Sequence, residues 1–190
     1  PEGETVPISE NLRVMAAGAV EDWLANVVVG MQHTIKDVIR TAAAEFNSMS
    51  CQQIQDNFPA AVALLCIQFL WTADSEDAIK RAKAEKGVLN AAAKKQGALL
   101  DEMIVQTTNP DLGKCERKCL ETMITIQVHQ VDVSQELVKA KLKALDDFDW
   151  QKQCRFYWKP DVEDDTPGEG SCRIAVTDVE FQCCYEYCGV

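Results

Sequence analysis

The sequence predicts a mainly α-helical fold, an elongated helical bundle that ends in a short β-hairpin or strand pair. Apolar residues recur every three or four positions through most of residues 19–144, which is the periodicity of amphipathic helices. Asn109-Pro110 interrupts this pattern, because the residue before a proline is disfavoured in helical space. A period-two alternation begins at Cys172 and is typical of a half-buried strand. These observations indicate long helices followed by a small sheet.

The N-terminal part is predicted to contain an extended lead-in, residues 1–18, and a first helix over residues 19–47. The apolar side chains of that helix should share one stripe, which consists of Val20, Leu24, Val27, Met31, Ile35, Val38, Ala42 and Phe46. A short helix over 50–57 follows. Pro59 then suits the first position of a helix over 59–71. That helix is apolar on nearly every side, so other elements should enclose it.

The central part is predicted to form two long antiparallel helices joined at the Asn-Pro turn. Asp74 or Ser75 is expected to cap a new helix, in a tract that continues to about residue 106 and is weakened by two glycines. A second tract runs from 111 to about 144, with a candidate interruption near Asp132. Each rod would extend roughly 30–45 Å at the rise of an α-helix. Such rods suit a stiff spacer better than a compact pocket.

A helix-like segment from Leu145 to Trp158 carries a cluster of large aromatic side chains. The cluster consists of Phe148, Trp150, Phe156, Tyr157 and Trp158. One interpretation is an ordinary enclosed helix. The other is that one face closes the helical body while the opposite face rests on a following module, since large aromatics are frequent anchors at such contacts. These five residues are the candidate junction anchors.

Residues 161–170 are acidic and are interpreted as a connecting loop, because they lack the ligand spacing of a calcium loop. The strand pattern from Cys172 to Tyr187 would place alternate side chains on opposite faces. A strand needs neighbours for stability, so the sheet is expected to be completed by residues outside this chain. The chain is therefore expected to be a piece of a larger protein.

Composition excludes some classes of partner. With 190 residues and a net charge of −11, the chain would be repelled by nucleic acid and by anionic membrane surfaces. Its longest apolar run is shorter than the ~18 residues that a membrane-spanning helix requires. No signal segment is recognised, so a soluble intracellular protein is expected.

The nine cysteines are interpreted as buried thiols rather than as disulfides or metal ligands. Their number is odd, no CxxC pair is present, and free cysteine packs in cores as a small hydrophobe. Cys115 and Cys119 align with apolar positions on one helical stripe. Cys183 and Cys184 would point to opposite faces of a strand, which is unfavourable for a shared metal ion.

The sequence offers no recognisable catalytic, cofactor or metal-binding motif. The phosphate-binding pattern GxxxxGK[ST] is absent from it. His33 lies four residues before Asp37 but has no third ligand at helical spacing, and His129 is expected to be a partly buried structural histidine. No catalytic residue is assigned.

One C-terminal motif and three separated upstream motifs resemble dynein heavy chains, and the C-terminal one is similar to the point where the mechanical linker meets the first AAA+ module. The C-terminal motif is DFDWQKQCRFYW, then an acidic spacer, IAVTDVEF and YEYCGV. Upstream, VEDWL at 20–24, the segment Phe58 to Thr72 and the segment 121–139 follow in the same order. The TDVEF segment is most similar to the axonemal outer-arm gamma type. The family commonly has Leu where this chain has Cys188.

The resemblance implies a division of the chain and a mechanical function. Residues 19–160 would form the helical linker body, 161–170 the acidic loop, 171–183 the strand segment at the junction, and 184–190 the start of the first AAA+ module. ATP hydrolysis in the ring would bend and straighten the linker and so drive movement along microtubules. ATP and Mg would be bound elsewhere in the parent chain, which is the ATP-hydrolysing motor.

The resemblance also implies partners and a location. These are the AAA+ ring of the same chain, the microtubule through the rest of the motor, and other dynein heavy, intermediate and light chains, in the cytoskeleton of a cilium or flagellum. Two other classes stay open on the residues alone. One is a helical scaffold or adaptor that binds a protein partner through its apolar stripes, and the other is a cysteine-rich metal or redox module.

Overall fold

The computed structural model describes residues 3–162 and 170–183. Within these residues the chain forms six α-helices and one small antiparallel sheet. In chain order the elements are α1 (Val20–Glu45), α2 (Cys51–Asn57), α3 (Ala60–Arg81), α4 (Val88–Gln106), α5 (Lys114–Ala140), α6 (Phe148–Gln151), β1 (Arg155–Lys159), β2 (Ser171–Val176) and β3 (Val179–Gln182). The predicted fold class, a mainly helical body that ends in a short β element, is confirmed.

Helix α1 buries only the C-terminal half of its predicted apolar stripe. Ile35, Ala42 and Phe46 lie in the core, whereas Val20 and Leu24 are exposed. The lead-in covers the middle of the helix, where the Leu12 carbonyl oxygen lies 3.0 Å from the position that a Cβ would take on a residue replacing Gly30. The N-terminal half of α1 therefore presents an uncovered apolar face.

Helix α3 is longer than predicted and forms the central element of the body. The prediction that a new helix starts at Asp74 or Ser75 is wrong, because α3 continues without a break to Arg81. No glycine or proline interrupts it, and Ser75 is buried rather than placed at a helix end. Asp74 instead accepts a hydrogen bond from Lys95 Nζ on α4 at 2.7 Å. The helix ends before Gly87, whose φ of 87° introduces α4.

Helices α4 and α5 form the predicted antiparallel pair on either side of the Asn-Pro turn. They contain 19 and 27 residues, so they extend about 28 and about 40 Å. The candidate interruption at Asp132 is not found, because α5 remains regular to Ala140. A buried polar contact joins the two helices, in which Gln127 Nε2 donates to the carbonyl and side-chain oxygens of Gln96 at 3.0 and 2.9 Å.

The predicted helix from Leu145 to Trp158 is wrong over its second half. Only α6, four residues long, is helical, and the aromatic run after it forms strand β1. Consecutive aromatic residues favour strands. Here the pairing with β2 stabilises a strand in place of the predicted helix. The order of the sheet is β1-β2-β3, with Trp158 opposite Cys172 and Ile174 opposite Phe181.

The predicted strand from Cys172 to Tyr187 is divided by a tight turn. Thr177 has a φ of 53°, a left-handed value suited to a two-residue hairpin. Beyond Cys183, the predicted alternation falls outside the described residues, as do most of the acidic loop and the expected start of a further module.

Two clusters of buried side chains form the core. The larger one lies among α1, α2, α3 and α5 and includes Cys172 from the sheet. The smaller one consists of Trp71, Ile79, Val133, Leu137, Leu142 and Trp150. Among the described helices, none is long and apolar enough to cross a membrane.

Candidate functional site

The candidate site is the junction at which strand β1 packs against helix α3. The amide of Phe156 lies on the edge of β1 that is not paired with β2, and it donates to Thr72 Oγ1 at 3.1 Å. One residue further, the Tyr157 hydroxyl donates to Glu76 Oε1 at 2.7 Å. Thr72 and Glu76 are four residues apart, so they lie on the same face of α3. This face therefore supplies two polar contacts to consecutive residues of the strand.

The Tyr157–Glu76 contact is partly shielded from water. Burial raises the pKa of the Tyr157 hydroxyl, and its hydrogen bond to the Glu76 carboxylate raises that pKa further. The hydroxyl therefore stays protonated at neutral pH and acts as the donor. A hydrogen bond to a charged acceptor contributes about 1.5–3 kcal/mol when it is well formed, which is more than a neutral pair.

Trp150 joins α6 to the helical body. Its side chain is fully buried, and its ring centroid lies 5.4 Å from that of Trp71 at an interplanar angle of 47°. Trp71 is fixed in turn by α5, because its Nε1 donates to Ser134 Oγ at 3.0 Å. The contact therefore links α3, α5 and α6.

The tip of the β2–β3 hairpin contacts the last residue of α6 and the first residue of β1. The Thr177 amide donates to the Gln151 carbonyl at 2.7 Å, and Arg155 Nη2 donates to the Thr177 carbonyl at 2.7 Å. The sheet is thus connected to the body at its hairpin end as well as along β1.

Gly170 permits close packing at the opposite end of the sheet. A Cβ at this position would lie 2.7 Å from Trp158 Cζ2 and 3.1 Å from Pro160 Cα. The residue also has a φ of 73°, which disfavours other residues. Glycine here lets Trp158 pack against the start of β2.

Four of the five predicted anchors enter this junction. Trp150 is in the smaller core cluster, and Phe156 and Trp158 pack against the larger one. Tyr157 contacts α3, whereas Phe148 is 67% exposed and points away from the core. Their common placement on one helix was wrong, and their role as anchors to a further module stays a prediction.

The partners of these aromatics were missed by the sequence interpretation. They are Trp71, Thr72, Glu76 and Ser134, from two different helices. The apolar character of residues 59–71 on nearly every side did indicate that another element packs against this helix. The sequence does not identify β1 as this packing element, because most of β1 falls within the predicted helix from Leu145 to Trp158.

The described cysteines are free thiols, and four of them lie in the core: Cys51, Cys66, Cys119 and Cys172. Burial raises the pKa of Cys51 and Cys66 to about 12 and that of Cys119 to about 11. The predicted core packing of Cys119 is confirmed, with its Sγ 3.8 Å from Met123 Sδ. Cys184 and Cys188 lie outside the described residues.

The predicted environment of His129 is wrong. This side chain is exposed, because the positions that α5 buries around it are Gln127 and Gln130. Across residues 3–162 and 170–183, no group of three His, Cys, Asp or Glu side chains could hold a metal ion. The arrangement at the junction holds a sheet against a helix, and its polar groups serve as hydrogen-bond partners.

These features define a class, a helical module whose small terminal sheet is fastened to one central helix. No family model matches the chain. It is 40% identical over 177 residues to the dynein gamma chain of the flagellar outer arm from Chlamydomonas reinhardtii, covering 93% of this chain. It is 41% identical over 190 residues to dynein axonemal heavy chain 5 from Rattus norvegicus, and 38% identical over 182 residues to dynein axonemal heavy chain 8 from Homo sapiens. These matches cover 99% and 95% of this chain, respectively.

The chain is homologous over about 95% of its length to axonemal dynein heavy chains, and the predicted resemblance is confirmed. It spans 4–5% of the length of these relatives and so corresponds to one segment of them.

Proposed function

We propose that this chain is the ring-proximal part of a dynein linker, which transmits conformational change of an AAA+ ring into movement along microtubules. The observation that carries the proposal is that the similarity to dynein heavy chains covers helical body and sheet together, over 93% or more of the chain. Body and sheet would therefore be one mechanical unit in those proteins. The motor activity would belong to the parent chain.

The contacts at the junction would supply the stiffness that a force-transmitting element needs. The sheet is held along β1 by α3 and at its hairpin tip by Gln151, the last residue of α6. Contacts on separate elements resist rotation better than a single one, because each constrains a different direction of movement. The long α4–α5 pair is likewise fixed in register by the buried Gln96–Gln127 contact.

ATP and Mg would be bound by other parts of the parent heavy chain, and no residue of this chain is proposed to contact either. The partners would be the ring of the same chain, other dynein heavy, intermediate and light chains, and the microtubule through the rest of the motor. The location would be the axoneme of a cilium or flagellum. This part of the proposal rests on the names of the relatives.

The experiment compares ATPase rate and microtubule gliding in a complete heavy chain that carries this segment. The variant Thr72→Val/Tyr157→Phe removes the two polar contacts between α3 and β1 while nearly conserving side-chain volume, because it deletes the Thr72 acceptor and the Tyr157 donor. Gliding velocity should fall several-fold while most of the ATPase rate remains, since the ring is untouched and only its mechanical coupling is weakened.

The matched control is Asp77→Asn, which alters an exposed residue of the same helix whose ion partner is Arg81. It should leave both rates unchanged. Equal losses of ATPase and gliding in the double variant would mean general destabilisation and would contradict the proposal.

A helical adaptor is the second candidate, and the uncovered face of α1 favours it. Val20, Leu24, Val28 and Val29 are all about half exposed on this helix. If the chain were an adaptor, Leu24→Glu/Val28→Glu would abolish partner binding, and the junction variant would leave it intact.

A further inference from the structure

Cys172 and Cys183 face each other across two neighbouring strands. The β2–β3 ladder pairs Arg173 with Gln182, and one step further the Cys183 amide donates to the Cys172 carbonyl at 2.8 Å. Directly opposite residues that share such a bond have Cα atoms about 5.5 Å apart. A disulfide spans Cα separations of about 4.4–6.8 Å, so the two side chains are within bonding reach. Both are free thiols in this structure.

We propose that Cys172 and Cys183 form a reversible oxidation site, at which a hydroperoxide converts the two thiols into a disulfide across β2 and β3. The pair is distinct from the contacts that join the sheet to α3. The proposal does not depend on the linker function.

The environments of the two thiols differ in the way that such a reaction needs. Cys172 is buried, and its thiol donates a hydrogen bond to the sulfur of the half-buried Cys183. This bond lowers the pKa of Cys183 below the ordinary value of a thiol. The same bond raises the pKa of Cys172, and burial raises it further. Cys183 is therefore the thiol of the pair that more readily forms a thiolate, the form of cysteine that attacks peroxides.

The oxidation proceeds in two balanced steps. The Cys183 thiolate attacks one oxygen of the hydroperoxide, the O–O bond breaks, and the leaving oxygen takes a proton, so that Cys183 becomes a sulfenic acid. The Cys172 sulfur then attacks the Cys183 sulfur, the S–O bond breaks, and the Cys172 proton leaves with the hydroxyl as water. With hydrogen peroxide, two thiols lose two electrons in total and one peroxide becomes two waters.

The bond should be readily reduced again. Cβ atoms of a hydrogen-bonded antiparallel pair are about 5.5 Å apart, whereas a relaxed disulfide prefers about 3.8 Å. Strained disulfides are the labile ones, and these are used for regulation rather than for permanent stabilisation. Formation of the bond would join the C-terminal end of β3, an exposed edge strand, covalently to the buried start of β2.

Four of the other five described cysteines, Cys51, Cys66, Cys119 and Cys154, lack this combination. Cys51, Cys66 and Cys119 are buried, and burial raises the pKa of each thiol. Cys154 is exposed, and its pKa is raised as well, mainly by desolvation. Cys154 is therefore an internal control for a thiol that is accessible but not activated.

The experiment treats the reduced chain with stoichiometric hydrogen peroxide at pH 7 and maps disulfides without reduction. Trypsin cleaves after Arg173, so a Cys172–Cys183 bond links two peptides, with the loss of two hydrogens. Cys184 and Cys188 share a peptide with Cys183. Fragmentation, together with Cys184→Ser and Cys188→Ser, identifies the linked residue. The link should persist in both variants, disappear in Cys183→Ser, and be reversed by dithiothreitol.

Two further measurements test the proposed order of steps. In Cys172→Ser, or in Cys172→Ala if the serine variant does not fold, Cys183 should accumulate as a sulfenic acid that dimedone traps. In the unsubstituted chain, Cys183 should react with peroxide at least about fivefold faster than Cys154, since its larger thiolate fraction outweighs its lower nucleophilicity.

Three results would overturn the proposal. They are a link from Cys184 or Cys188 to Cys172, oxidation of Cys183 to sulfinic acid with Cys172 unmodified, and faster reaction at Cys154. Each can be read from the unsubstituted chain, so none depends on the folding of a variant.

Discussion

Phe148 and Trp150 are two residues apart in α6, yet their side chains lie in opposite environments. Trp150 is fully buried against Trp71, whereas Phe148 is 67% exposed. Trp150→Ala should lower the free energy of unfolding by about 3–5 kcal/mol, because it removes apolar burial and leaves a cavity. Phe148→Ala is the matched control and should change it by no more than about 0.5 kcal/mol. Urea denaturation followed by circular dichroism measures both, and similar losses would contradict the structure.

Tyr157 should contribute stability that depends on pH. Its folded-state pKa is raised above the ordinary value, so its contribution is complete below about pH 10 and is lost as the pH rises through the folded-state pKa. Tyr157→Phe should therefore cost about 1–2 kcal/mol at pH 8 and less at pH 11. Any effect of the buried thiols on stability at alkaline pH is the same in both proteins, so it cancels in the difference between them. A difference between the two proteins that is constant from pH 8 to 11 would exclude the hydrogen bond to Glu76 as its source.

The chemical character of the junction residues could be predicted from the sequence, but their contacts could not. The aromatic run around Trp158 was identified because large aromatics seldom stand uncovered. Thr72 and Glu76 gave no local signal, since both residue types are common on helices. They acquire a role only when β1 is placed beside α3, at more than 80 positions of sequence separation. Contacts between residues so far apart in the sequence produce no periodic pattern from which they could be predicted.

Among the secondary-structure elements, those delimited by local breakers were predicted closely. The Asn-Pro turn and Pro59 mark real ends or beginnings, and the α4–α5 pair follows from them. The continuation of α3 through residues 72–81 was missed, because Asp74 and Ser75 are good caps whenever a helix does end there. Strand β1 was missed since it exists through its pairing with β2. Local propensity predicts a strand poorly where pairing with another strand determines whether it forms.

Replacement of Gly170, which directly precedes β2, should destabilise the fold more than replacement of Gly87, which provides a matched control. Both have positive φ values, 73° and 87°, but a Cβ at Gly87 would meet nothing within 4 Å. Gly87→Ala should cost only the backbone term of about 1–2 kcal/mol. Gly170→Ala should cost more, because backbone atoms of Lys159 and Pro160 also lie within 3.2 Å of the new methyl group. Thermal unfolding of both variants measures this, and equal costs would mean that Trp158 and its neighbours move aside.

In the molecule as a whole, α3 connects the two core clusters with the sheet. It contributes Ile67 to the larger cluster and Trp71 and Ile79 to the smaller one. Its Thr72 and Glu76, which lie between Trp71 and Ile79 in the sequence, contact β1. A displacement of the sheet would therefore reach both core clusters through α3, as the proposed lever function requires.

Hydrogen exchange should show whether the sheet loosens independently of the helical body. In Thr72→Val/Tyr157→Phe, amides of β1 and β2 should exchange several-fold faster, because β1 loses both polar contacts to α3. Amides of the α4–α5 pair should keep their rates, since the buried Gln96–Gln127 contact is unaffected. Mass-spectrometric exchange of the chain measures both regions at once, with Asp77→Asn as the control. Equal acceleration in all elements would mean that sheet and body unfold as one cooperative unit, and that the junction cannot be softened without weakening the body.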